Sequence, residues 1–112
     1  MNSLVMIKCD NIINEVNNTL YKNFKKSIFT IEYKCDGFDV CIGNFTICHI
    51  SDICINPELV EISISNKLKK ELDMDKDESI ICNSSTIHLM LKSIICTEFV
   101  TDIVYDYIKE DI

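Results

Sequence analysis

The sequence predicts an α+β domain: a small sheet built on a β-hairpin, with helices packed beside it, spanning residues 1–112 as one unit. Three observations predict it. Apolar residues recur at helical spacing near the start and again near the end of the chain. Between them, β-branched and aromatic residues flank an Asp-Gly pair. With 112 residues, 47% of them hydrophobic, the chain suffices for one core.

The elements follow in order. Residues 11–26 place Ile12, Ile13, Val16, Leu20 and Phe24 on one helical face. Asp10 or Asn11 is the predicted cap, and Lys25 and Lys26 suit the negative end of the helix dipole. Residues 28–34 read as a strand, Asp36-Gly37 as a turn and Phe38–Ile42 as the returning strand. Gly43-Asn44 breaks the chain. Phe45–Ile55 fits a third strand or one to two helical turns, because a short apolar run does not separate the two. Pro57 ends that segment. Leu59–Ser63 alternates as a strand does, with Val60 and Ile62 inward. Asn66–Leu72 is a short helix with Ser65 or Asn66 as cap, and residues 73–78 form an acidic loop. Ser79–Cys82 is a short strand. Ser84, Ser85 or Thr86 then caps a helix carrying Ile87, Met90, Leu91, Ile94 and Ile95. After a break at Thr97-Glu98, a last helix carries Val100, Ile103, Val104, Tyr107 and Ile108.

Composition bounds the function classes. The chain has 20 Ile, 11 Lys and 10 Asn but no Ala, Arg, Gln or Trp. This usage matches an AT-rich genome, such as that of a large cytoplasmic DNA virus, an intracellular parasite or a low-GC bacterium. A net charge of −7 without Arg argues against nucleic acid as a partner, because phosphate neutralisation needs clustered cations. No apolar run approaches the roughly 18 residues of a membrane span, so no transmembrane segment is expected. Residues 1–10 lack the pattern of a secretory signal, and a cytoplasmic location is expected.

Candidate chemistry is sparse. Seven Cys is an odd number, so a complete disulfide framework is not expected, and most should pack as small hydrophobes. No C-x2-C pair exists, which argues against structural zinc. Asp73-x-Asp75-x-Asp77 starts like a calcium loop, but the positions needing Gly and Glu hold Glu78 and Ser84. His49 and His88 are the only histidines that could serve a nucleophile, and His88 is expected exposed on a helix flank. Accordingly no catalytic residue, metal ligand or cofactor is expected. Lys67, Lys69 and Lys70 form a cluster that could hold an anionic lipid or phosphate. The apolar face of Ile12, Ile13, Val16, Leu20 and Phe24 needs cover, from the chain's own sheet or from a second subunit.

The element order and two stretches resemble the BTB/POZ domain, of the kind found in poxvirus kelch-like proteins. Residues 11–26 look like its N-terminal helix and residues 28–42 like its first hairpin. Ser51-Asp52-Ile53 resembles the Ser-Asp/Pro-aromatic step that follows, before short helices and a lone strand. Ser85-Thr86-Ile87-His88-Leu89-Met90-Leu91 resembles the family's ENVxxLL helix start, and Val104–Lys109 its closing CxxYIK. The resemblance implies a non-enzymatic module that forms a homodimer through Ile12, Ile13, Val16, Leu20 and Phe24. It also implies an adaptor that engages host ubiquitin-ligase (cullin) machinery. The alternative is a small viral effector that binds a host signalling protein or an anionic phospholipid through Lys67, Lys69 and Lys70.

Overall fold

A computed structural model describes residues 3–109. The fold is α+β. Helix α1 (Ser3–Phe24) leads into strands β1 (Phe29–Lys34), β2 (Gly37–Ile42), β3 (Phe45–Asp52) and β4 (Leu59–Ile64). Helix α2 (Asn66–Glu71), strand β5 (Ile80–Asn83), a 3-10 turn at 84–86, helix α3 (Ile87–Ile95) and helix α4 (Glu98–Lys109) follow. The strands pair antiparallel in chain order, β1-β2-β3-β4-β5. The ambiguous segment therefore forms strand β3, at the centre of the sheet. Its pairing with β2 and β4 settles what its composition leaves open.

Register explains why one face of the sheet is apolar. Tyr33, Phe38, Ile50, Ile62 and Ile80 form one cross-strand row. Ile31, Val40, Cys48 and Ile64 form the next. Of these nine, all but Tyr33, Ile31 and Ile80 are buried. Against these rows pack Val5, Cys9, Ile12 and Ile13 of α1, Ile87, Leu91, Ile94 and Ile95 of α3, and Val100, Val104 and Ile108 of α4. Each fully buried Ile or Leu contributes about 1.5–3 kcal/mol relative to exposure.

Several boundaries move for identifiable reasons. α1 begins at Ser3 rather than Asn11, because Val5 and Cys9 continue its buried ladder. Asp10 and Asn11, expected as caps, lie inside the helix. Packing outweighs their weak helix propensity. Lys25 ends α1 in the left-handed region (φ 60°), its N–H donating to the Tyr21 carbonyl at 2.8 Å. The hairpin turn is Cys35-Asp36, and Gly37 belongs to β2. A Cβ on Gly37 would stand 1.9 Å from the Ile50 carbonyl oxygen, so only glycine fits there. Ser65 caps α2, accepting from the Leu68 N–H at 3.3 Å. Thr97 opens α4 in the same way, its hydroxyl accepting from the Val100 N–H at 3.4 Å.

One side chain joins the helix layer to the sheet edge. The Asn17 carboxamide oxygen accepts from the N–H groups of Ile28 (3.0 Å) and Phe29 (2.9 Å). Its Nδ2 donates to the Phe29 carbonyl at 2.8 Å. Asn17 thus pairs with the start of edge strand β1 as a neighbouring strand would. Asn17→Ala is expected to cost about 2–3 kcal/mol of unfolding free energy, because three part-buried backbone groups lose their partner. Asn18→Ala, on the exposed side of α1, should change it by less than about 0.5 kcal/mol. Urea titration of both variants measures the difference, and equal midpoints would remove the structural role of Asn17.

Candidate interaction surfaces

The sheet face turned away from the helices is polar. Glu32, Asp39, His49 and Ser63 stand in one row across β1 to β4. Lys34, Gly37, Ser51, Glu61 and Ile81 form the next row. His49, on the central strand, is held at both nitrogens. Nδ1 lies 2.6 Å from Asp39 Oδ1, and Nε2 lies 3.0 Å from Asp36 Oδ1 in the hairpin turn. Lys34 Nζ donates to Glu32 at 2.9 Å and stands 4.0 Å from Asp39. Burial of the imidazole opposes its protonation, but hydrogen bonds to Asp39 and Asp36, and their charges, outweigh that, and the pKa lies above the ordinary 6.5. A histidine engaged at both nitrogens holds the hairpin tip to the sheet and has no free nitrogen with which to activate a nucleophile.

The thiols differ in exposure. Cys9, Cys41 and Cys48 are buried, Cys82 is half-buried, and Cys35, Cys54 and Cys96 are exposed, all seven free. The expectation of mostly buried cysteines fails for the three that stand in the hairpin turn, the β3–β4 loop and the end of α3. Burial, with smaller contributions from Asp10 and Cys82, pushes the Cys9 thiol up to about 12. Burial likewise raises Cys48, Cys41 and Cys82. Thiols held protonated are poor nucleophiles. His88, expected to be exposed, is half-buried on α3, with a shielded Nδ1 that has no hydrogen-bond partner among the described residues. Among the described residues no group of three or more His, Cys, Asp or Glu could hold a metal ion, and no helix is long and apolar enough to cross a membrane.

The lysine cluster is divided by the fold. Lys67 and Lys70 are exposed on α2, but Lys69 is buried. Its Nζ donates to the Lys76 carbonyl at 2.6 Å, and its own carbonyl accepts from the Met74 N–H at 2.9 Å. Lys69 ties the acidic loop to α2 and does not face an anion. The three-lysine anion site is corrected to two exposed cations beside a structural one. The sequence offers no sign of this, because Lys69 looks like its neighbours until the loop folds back over it.

Helix α1 shows the sharpest change of role. Ile12 and Ile13, predicted to face a second subunit, are buried in the chain's own core, and Val16 and Leu20 pack half-buried against it. Of that set only Phe24 is exposed, at 41%. The opposite face of α1 is the accessible one. Leu4, Ile7, Asn11, Asn14, Asn18 and Tyr21 follow one another at alternating spacings of three and four, and all are exposed. This stripe runs along a 22-residue helix about 33 Å long and carries no charged residue. Sequence reasoning missed it because three Asn at its centre hide its periodicity from a search for apolar residues.

No protein-family model matches the chain, and neither a curated protein nor a solved structure matches it.

Two outcomes are expected from these surfaces. An NMR titration should place the His49 midpoint above 6.5, and Asp36→Asn should lower it. Because folding raises this pKa, the clamp contributes its full stability below the unfolded value and loses it as pH rises through the folded one. A midpoint at or below 6.5 would show that burial outweighs the two carboxylates. Separately, Lys69→Met should cost about 1–2 kcal/mol in urea unfolding, with Lys67→Met and Lys70→Met near neutral. Equal effects at all three positions would return Lys69 to the exposed cluster.

Proposed function

We propose that this chain is a non-enzymatic protein–protein interaction module that works through the outward face of α1. The observation that supports it is the uncharged stripe of Leu4, Ile7, Asn11, Asn14, Asn18 and Tyr21 on a protein of net charge −7. A solvated helix face on an acidic domain ordinarily carries charges. An uncharged face with exposed Leu, Ile and Tyr suits contact with another helix. The engaged nitrogens of His49 and the raised pKa values of the buried thiols fit a domain that binds rather than transforms.

The narrower form of the reading is a dimeric, BTB-like adaptor that engages host ubiquitin-ligase (cullin) machinery in the cytoplasm of a host cell. It rests on the resemblance of residues 85–91 and 104–109. The alternative, an effector held at anionic phospholipid, loses Lys69 from its binding set and keeps only Lys67 and Lys70.

Site-specific photo-crosslinking tests the broader reading. A photoreactive residue in place of Asn14, on α1, should capture a discrete adduct in cells. Ile7→Asp combined with Tyr21→Asp should abolish it without lowering the thermal midpoint. The same probe in place of Ser63, on the open sheet face, should capture none. Adducts unaffected by the two substitutions, or found only from Ser63, would move the function off α1.

A further inference from the structure

We propose that the partner of the α1 outer face is a second copy of the same chain, docked antiparallel about a two-fold axis that crosses the helix between Asn11 and Asn14. The inference rests on the interaction-module reading and names its partner. Spacings of three and four make the stripe a coiled-coil seam, with Leu4, Asn11 and Asn18 at one kind of core position and Ile7, Asn14 and Tyr21 at the other. In an antiparallel pair centred on this stripe, Leu4 meets the second copy's Tyr21, and Ile7 meets its Asn18. Asn11 meets the second copy's Asn14. Each polar residue at the centre then faces a carboxamide that can both donate and accept. Near each end Leu4 faces the apolar body of Tyr21, whereas Ile7 faces the polar Asn18.

The flanking charges select this orientation. Lys8 and Glu15 lie on the same flank of the seam, and Asp10 lies on the other. Antiparallel docking brings Lys8 beside the second copy's Glu15, and the two-fold axis repeats the pair. Parallel docking would bring Asp10 beside the second copy's Glu15, two like charges. Antiparallel helices also set each positive N-terminus beside a negative C-terminus. The ladder that fills the core, Val5, Cys9, Ile12 and Ile13, is on the other side of α1, so docking requires no rearrangement of the fold. Asn at core positions fixes register at a cost in stability, so the dimer is expected to be concentration-dependent rather than permanent.

Sedimentation velocity over a concentration series tests this with the intact chain. The expected result is a monomer–dimer equilibrium that Ile7→Asp abolishes while the thermal midpoint stays unchanged. Lys8→Glu and Glu15→Lys should each weaken self-association about fivefold or more. An equimolar mixture of the two variants should recover it, because each chain then presents the charge the other lacks. A monomer up to about 1 mM, the weak end of measurable association, would overturn the inference. A dimer indifferent to Ile7→Asp would also overturn it. A dimer lost on Ile7→Asp but not recovered in the mixture would overturn the antiparallel register. A discrete photo-crosslinked adduct with a different protein, together with a monomer in solution, would leave the interaction-module reading standing and this inference refuted.

Discussion

The rest of the structure depends on the burial of one face of α1 against one face of the sheet. Val5, Cys9, Ile12 and Ile13 cover strands whose inward rows, from Phe38 and Val40 to Ile62 and Ile64, have no other use for their apolar side chains. A strand presents alternate residues to opposite faces, so a slip of one residue would carry a whole inward row to solvent. The helix layer therefore fixes register across the sheet. Asn17 adds a directional term to this non-directional one by binding the start of β1 at Ile28 and Phe29.

Once the inner faces are committed, the outer faces are what remain for function. The outward face of the sheet is organised around His49, which joins the hairpin turn at Asp36 to the strand at Asp39. That arrangement ties the hairpin turn to the central strand. The outward face of α1 is different in kind: the stripe from Leu4 to Tyr21 is uncharged, and charges stand only on its flanks, at Lys8, Asp10, Glu15 and Lys22.

Polar residues in this chain are often structural where their type suggests exposure. Lys69 lies under the acidic loop, Ser84 donates to the Pro57 carbonyl at 3.0 Å, and Asn17 serves the sheet edge. With only two glycines in the chain, Lys25 and Asp73 take left-handed backbone positions that glycine often fills. Residue type is thus a weak guide to role in a composition so biased toward Ile, Lys and Asn.

By itself the sequence determined the α+β class, the hairpin, the order of most elements and the two helices at the end. These follow from local periodicity and turn chemistry, which act over a few residues and are written in the chain. It left residues 45–55 open, because a short stretch that mixes apolar and polar residues becomes a strand only when β2 and β4 flank it. It also left the cover of Ile12 and Ile13 open between the chain's own sheet and a second subunit, and grouped Lys69 with Lys67 and Lys70 as a candidate anion site. Periodicity shows that a face needs cover, but only the packed layers decide which surface covers it. The tertiary structure made that decision, turning the apolar ladder of α1 inward and leaving Leu4, Ile7 and Tyr21 outside.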